Sequence, residues 1–509
     1  MQRITGNHAT SHPLFSVAAT RLIEQQSAAT LPTHTLMQRA GLAVTRLALA
    51  LAPHSRSIWI ACGPGNNGGD GFEAAMHLHQ WGKRVVVTWA GLPPGKTTLP
   101  PDAQASYDRA LAAGVRITDT APTDFDVCID ALLGIGASPD PQRTGSHTMT
   151  QWLDAMRASG KPCLSVDIPT GLNADTGHTA SATSGDSPRG GKRFTLSLLT
   201  LKPGLFTAHG RDSAGEVWLD DLGVEPPSQP DAWLIGEDRV QSFSRTQAAH
   251  ASHKGSYGDV AVIGGELTAH SHMAGAALLA ARAALVHGAG RVYVALLGGD
   301  GPAALTVDTH QPELMFRHVD ALDLKNQTVV CGCGGGDAVS AVLPKVLSTA
   351  HQLVLDADAL NAIAGDTALQ TLLRARHGRG YQTVLTPHPL EAARLAGTGT
   401  AAVQADRLTT AQQLADNYKT VVVLKGSGSV ITAPGEIPCI NSSGNALLAT
   451  AGTGDVLAGM VGAALASGQP AFAAACAAVF SHGRMADRWL SARPGQNLTA
   501  SDLCERSSL

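Results

Sequence analysis

The sequence predicts two α/β domains in series, each a parallel sheet with helices on both faces. Three observations predict this. Short β-branched apolar runs alternate with helical stretches along most of the 509 residues, and such alternation builds parallel sheets from strand–helix–strand units. The alternation lapses at LGVEPPSQPDA (222–232) and then restarts. Two glycine-rich turns of different design, GPGNNGGDG (63–71) and AGTGD (451–455), fall one in each half.

The elements follow in order. Leu36, Met37, Leu42, Ala43 and Leu47 form an apolar stripe within a helical region spanning 14–52. SIWIAC (57–62), RVVVTWA (84–90), FDVCIDALLG (125–134) and PCLSVDIP (162–169) read as buried parallel strands. Helices are expected between them at 71–82 and 102–113. HTASATSGDSPRGGKR (178–193) reads as a surface loop. Beyond the Pro-rich break, strands are expected at DVAVIGG (259–265), RVYVALLG (291–298), TVVCGCG (328–334), QLVLDADAL (352–360), TVLTPH (383–388) and TVVVLKG (420–426). An Ala-rich helix runs to Gly288, another starts near Gly454, and a last one covers 471–489. The domains are drawn at 1–224 and 247–509, with 225–246 as linker.

Composition excludes several classes. A net charge of −4 gives no electrostatic footprint for nucleic acid or an anionic membrane. The most apolar stretch, near 461–480, is interrupted by Gly468-Gln469-Pro470 and is too weak for a membrane span. The first residues lack the pattern of a signal peptide. The eight cysteines show no C-x-x-C pair and no metal spacing, and read as buried free thiols in a reducing compartment. A cytoplasmic homo-oligomer is the expected state.

GPGNNG after a strand and before a helix is formally G-x-G-x-x-G. Its glycines would let backbone N–H groups approach a phosphate at a helix N-terminus. A dinucleotide site also needs an acid at the end of the second strand, but that strand ends Thr88-Trp89-Ala90-Gly91. An ordinary nicotinamide-cofactor site is therefore disfavoured. Asn66, Asn67 and Asp70 can instead hold a hydroxylated substrate or a cation. Asp130 and Asp167 stand at two further strand ends, where α/β sheets bind ligands. A lone strand-end Asp is usually a helix cap, but three beside one glycine turn favour a cation or acid–base site.

LMQRAG (36–41), GPGNNGGDG (63–71), DALLGIG (130–136), DIPTGLNADTG (167–177) and LKPGL (201–205) together resemble the NAD(P)H-hydrate epimerase domain, a Rossmann-like fold, over residues 14–224. Gln38 stands where that family usually has Glu. The resemblance implies a potassium ion at Asn67, Asp130 and Thr170. It implies substrate contacts from Asn66, Asn67, Gly68, Gly69, Asp70, Gly134, Ile135, Gly136, Ala137, Ser138, Pro139, Asp140 and Asp167, with Asp167 also exchanging protons. Lys202 is a weaker candidate, because LKPGL reads equally as structural.

In the second half, the N–H groups of Gly452, Thr453 and Gly454 would form an anion hole. Asp455 in the next turn could take a proton from an attacking hydroxyl, as phosphoryl transfer requires. The plainer reading is a capped helix start. HKGSYGDVAVIGG (253–265), VLDADALN (354–361), LTPHPLEAARL (385–395) and VLKGSGSVI (423–431) resemble the ADP- or ATP-dependent NAD(P)H-hydrate dehydratase of the ribokinase-like superfamily, over 247–505. Ala451 and Leu390 depart from it, since glycine is usual at both. The resemblance implies hydrate contacts from Ala276, Gly334, His388 and Asp455. It implies nucleotide contacts from Lys425, Gly426, Ser427, Gly428, Ser429 and Gly454, with magnesium accompanying ADP. By itself His388, between two prolines, reads as a turn residue. GLPPGKT (91–97) is one residue short of a P-loop, and its prolines lack the needed N–H donors.

The implied function is epimerisation of NAD(P)H hydrates in the first domain and ADP-dependent dehydration in the second. The alternative is a vitamin or sugar kinase carrying a non-catalytic binding domain.

Overall fold

The computed structural model describes residues 1–6, 9–89, 91–92, 96–136, 146–179, 191–227, 229–241, 250–268, 272–298 and 306–505. The chain divides into two compact units: Met1–Thr5 with Pro13–Ala232, and Gly6–His12 with Trp233–Leu509. This differs from a linker over 225–246. Trp233 and Leu234 pair in register with Cys439 and Ile440, so hydrogen bonding carries that segment into the second sheet. Gly6–His12 joins the second unit too, where Ser11 Oγ donates to Asp238 at 2.6 Å.

The first unit's sheet runs Gln2–Ile4, Glu216–Asp220, Arg193–Leu198, Cys163–Val166, Val127–Ala131, Ser57–Cys62, Arg84–Trp89, Arg116–Thr118. Only Gln2–Ile4 is antiparallel to its neighbour. From Ser57–Cys62 the chain builds outward one way, then returns to build the other way from Val127–Ala131. The crevice between those two strands is the switch point where such sheets take ligands. Trp59, Ile60, Phe72 and Leu78 are fully buried around it, each worth roughly 1.5–3 kcal/mol of burial.

The strand at 193–198 lay hidden in a polar segment. Its Thr195 Oγ1 donates to Ala214 O at 2.8 Å and its Ser197 Oγ to Thr200 O at 2.8 Å, so local acceptors satisfy the buried hydroxyls. Most of the 178–193 loop, and Pro93-Pro94-Gly95 of GLPPGKT, lie outside the described residues.

The second unit's sheet runs Met315–Phe316, Arg291–Leu296, Asp259–Gly264, Thr328–Cys331, Gln352–Leu355, Gln382–Leu385, Val421–Leu424, Ser429–Thr432, Cys439–Asn441, Ala232–Leu234. Its switch point lies between Asp259–Gly264 and Thr328–Cys331. Helix Thr453–Ala466 packs tightly over this point. A side chain on Gly459 would sit 2.1 Å from Ala280 O, and one on Gly462 2.5 Å from Val330 Cγ2. The abundance of glycine and alanine here is thus a packing requirement. No described helix is long and apolar enough to cross a membrane. All eight cysteines are free, and only Cys163 is more than slightly accessible.

Candidate active sites

The first glycine turn is tighter than the sequence suggests. The helix begins at Asn66 rather than Gly71 and runs to Gln80, so Asn66–Asp70 form its first turns. Glycine is required by close approach. A side chain on Gly63 would lie 1.7 Å from Leu132 O, and one on Gly68 2.0 Å from Gly63 O. Gly69 packs on Ala103 and Met37. Gly68 and Gly69 therefore sit behind the site wall as spacers. Glu73 pins this helix to Pro101–Ala112, accepting from Ser106 Oγ at 2.9 Å and Arg109 Nη2 at 2.6 Å.

Asn66, Asn67, Asp70, Gly134, Ile135, Gly136 and Asp167 line one cavity of about 790 Å³. Ala137, Ser138, Pro139 and Asp140 lie outside the described residues. Asp130 and Thr170 are buried beneath this wall. Thr170 Oγ1 donates to Asp130 Oδ1 at 2.7 Å, Thr170 N to Asp130 Oδ2 at 3.0 Å, and Leu133 N to Thr170 Oγ1 at 3.0 Å. Burial pushes the Asp130 carboxyl up, against the pull of those hydrogen bonds. Asn67 packs its side chain against Gly134 and keeps a buried Nδ2 without a hydrogen-bond partner among the described residues.

Asp167 has left-handed backbone, φ 64°, which costs a non-glycine residue energy and often marks a functional position. Its carboxylate accepts from Leu198 N at 3.1 Å and from Lys202 Nζ. Lys202 is fully buried and also donates to Leu198 O at 2.8 Å. The lysine weighed as merely structural is thus the direct charge partner of the candidate proton-transfer carboxylate. Asp70 is pushed well above the ordinary carboxylate range by burial and by Asp167, Glu24 and Glu73. Glu24 and Arg21, from a helix that showed only periodicity in the sequence, also line the cavity.

The second site gathers consecutive strand ends. Cys333 follows Thr328–Cys331, Asp356 follows Gln352–Leu355, His388 follows Gln382–Leu385 and Lys425 follows Val421–Leu424. Lys425 Nζ donates to the buried Asp356 carboxylate at 2.6 Å. Cys333, Asp356 and Asp455 bring ligand atoms within 4.8 Å of one another. A side chain on Gly454 would lie 3.3 Å from Lys425 Nζ, which places the helix start against that ammonium group.

Asp455 sits in the first turn of Thr453–Ala466, and burial, then Asp356, raise its pKa to about 7. A carboxylate there is poised as a general base at neutral pH. The anion hole needs one correction. Thr453 N–H turns back to Thr450 O at 3.4 Å, and its hydroxyl donates to Leu448 O at 2.8 Å. Gly454 and Asp455 are left as first-turn N–H donors without a helical acceptor.

Gly334 and Ala276 are neighbours, since a side chain on Gly334 would fall 2.9 Å from Ala276 Cβ. Gly426, Ser427 and Gly428 lie in the turn between Val421–Leu424 and Ser429–Thr432, and Ser429 opens the second of these strands. His388 caps helix Pro389–Ala396: its Nδ1 accepts from Leu390 N at 3.1 Å, and its Nε2 lies 3.1 Å from Glu391 Oε1. Structurally His388 is a helix N-cap, and its half-exposed ring stands beside Lys425 and Asp356. Glu391 is raised to about 7, chiefly by burial. Ala451 and Leu390 are both exposed, so neither departure disturbs packing. Asp356 and Cys333 were missed. Asp356 stands at a strand end like Asp130 and Asp167, and the same rule would have found it.

Both halves of the chain match known proteins. Residues 260–508 match the family described as NAD(P)H-hydrate dehydratase, and residues 33–204 the family described as YjeF-related protein N-terminus. The bifunctional NAD(P)H-hydrate repair enzyme Nnr of Escherichia coli (strain K12) is 36% identical over 492 residues, covering 93% of this chain and 88% of that protein. The protein of the same name from Coxiella burnetii is 34% identical, covering 92% and 93%. A solved structure of an ADP/ATP-dependent NAD(P)H-hydrate dehydratase from Bacillus subtilis, co-crystallized with ATP/Mg2+, is 29% identical with a TM-score of 0.44, covering 53% of this chain and 93% of that one. With both halves matched and full-length relatives above 30% identity, the chain belongs to the family of bifunctional NAD(P)H-hydrate repair enzymes.

Proposed function

We propose that the chain restores hydrated nicotinamide nucleotides in two steps. Hydration of the 5,6 double bond of NADH or NADPH leaves a hydroxyl at C6. The first unit interconverts the R and S epimers at C6 without redox change. The second dehydrates the S epimer to NAD(P)H at the expense of ADP, giving AMP and phosphate. One observation carries the reading: each unit has a carboxylate suited to proton transfer beside the C-terminal ends of its parallel strands, Asp167 on Lys202 and Asp455 beside Asp356 and Lys425.

In the second unit, Asp455 takes the proton of the C6 hydroxyl as that oxygen attacks the nucleotide phosphate. The N–H groups of Gly454 and Asp455 and the Lys425 ammonium offset the phosphate charge. The KGSGS turn cradles the rest of the nucleotide. Loss of phosphate from C6 and of a proton from C5 to solvent then re-forms the double bond. Asp356 offers buried carboxylate oxygens of the kind magnesium takes, whereas the Cys333 thiol is too soft to serve. Magnesium bound there with the nucleotide would supply further positive charge. Incubating the protein with mixed hydrate epimers and ADP or ATP should regenerate NADH absorbance. Accumulation of a stable phosphate ester would instead identify a kinase.

ADP is expected to support faster turnover than ATP at matched magnesium. Parallel rate measurements decide this, and a clear ATP preference refutes the ADP assignment while leaving dehydration intact.

Asn67, Asp130 and Thr170 would hold a potassium ion in the first unit. The donors fit, because they offer buried hard oxygens and a single carboxylate, which suits one positive charge. Bound there, potassium would offset Asp130 and the phosphates of the hydrate. Asp130→Ala should weaken epimerisation and its potassium dependence together, leaving dehydration of pure S epimer unchanged. Epimerisation indifferent to both potassium and Asp130 would remove the cation from this position.

A further inference from the structure

We propose that Glu24 is a second catalytic residue of the epimerase site, the acid that protonates the ring nitrogen when the C6–N1 bond opens. The proposal rests on the epimerase reading above. Glu24 projects from helix Val17–Ala28 into the cavity that also holds Asp70 and Asp167. The helix is firmly placed. Ser16 Oγ accepts from Ala19 N at 3.2 Å, and Thr20 shares a 2.7 Å hydroxyl–hydroxyl hydrogen bond with Thr200. Thr20 and Ile23 are its buried residues.

Chemistry asks for two proton-handling groups. The C6 carbon of the hydrate bears both a hydroxyl and N1, so its configuration can invert by ring opening. Asp167 takes the hydroxyl proton. The C6–N1 bond then breaks, C6 becomes an aldehyde carbon, and the bonding pair goes to N1. N1 must gain a proton as that pair arrives. Rotation about C5–C6 presents the other carbonyl face. Closure returns the N1 proton to Glu24 and the Asp167 proton to oxygen. Nothing is oxidised or reduced.

The two carboxyls are dressed for opposite roles. Asp167 accepts from Lys202 and from Leu198 N. Glu24 makes no hydrogen bond or ion pair among the described residues, and it is exposed where it lines the cavity. Asp70 is protonatable too, but it is packed away against Cys62, with little surface from which to deliver a proton. The groups facing Glu24 are Asp167, Lys202, Arg21 and Asp102, with Asp70 in the same wall. Burial and Asp167 push the Glu24 carboxyl up, outweighing Lys202 and Arg21. Such divergent environments mark acid and base pairs.

The test starts from one pure C6 epimer without nucleotide, so that no dehydration occurs, and follows the other epimer by chromatography after subtracting the enzyme-free rate. Glu24→Gln in the full chain should lower kcat about 100-fold with KM changed less than about threefold. An acid works protonated, so wild-type kcat should fall as pH rises through the Glu24 pKa, and this alkaline limb should vanish in Glu24→Gln. Glu24→Asp, which keeps a proton donor, should recover part of the rate. A kcat for Glu24→Gln within about threefold of wild type, or a loss carried by KM alone, overturns the proposal. Absence of epimer exchange in the wild type overturns the proposal and the epimerase reading together.

Discussion

Asp455→Asn is expected to lower dehydration of the S epimer by about 10²–10⁴-fold, the usual loss when a general base is removed. Asparagine preserves shape and the helix start but cannot accept the hydroxyl proton. Nucleotide affinity should stay close to wild type, because Lys425 and the first-turn N–H groups remain. The sign of the pH dependence follows from the site. Burial and Asp356 raise Asp455 to about 7, and the base acts only when deprotonated. The wild-type rate should therefore climb between about pH 6 and 8 and lose this limb in the variant. Steady-state NADH recovery across pH checks both points. A variant with near wild-type turnover would remove Asp455 from the mechanism.

Asp167→Asn should be equally severe in the other unit. Epimerisation should fall by about 10²–10⁴-fold, while dehydration of pure S epimer is unaffected. This substitution also strips the fully buried Lys202 of its carboxylate. Breaking a buried pair from one side costs about 3–5 kcal/mol, so the first unit should melt earlier. Adding Lys202→Met removes the stranded charge. The double variant should regain much of the thermal stability and none of the activity. Recovery of epimerisation in the double variant would show that the pair only supports the fold.

The strands Ser57–Cys62, Val127–Ala131, Gln352–Leu355 and Val421–Leu424 were legible because their runs are apolar on both faces, as buried parallel strands must be. Asp130 and Asp167 were legible because they stand at strand ends in the same half as one glycine turn, whereas the strand-end Asp356 was passed over. Arg193–Leu198 was not, because its serine and threonine hydroxyls are satisfied only by carbonyls that the fold brings near. The Trp233–Leu234 pairing was hidden for a related reason: proline and polar neighbours suggest a linker until a partner strand at 439–440 is in place.

By itself the sequence determined the two α/β units, the two glycine turns and the carboxylates Asp70, Asp130, Asp167 and Asp455. Only the tertiary structure decided what surrounds each of these. Lys202 became the partner of Asp167 because the chain folds it into a dry interior, where a lone ammonium cannot stay uncompensated. Glu24 joined the site because its helix lies along the cavity. Asp455 acquired a neutral-range pKa because the fold buries it and because Asp356, about a hundred residues earlier in the chain, ends a strand beside it. Charge and burial are set by neighbours distant in sequence, and local pattern carries no record of them.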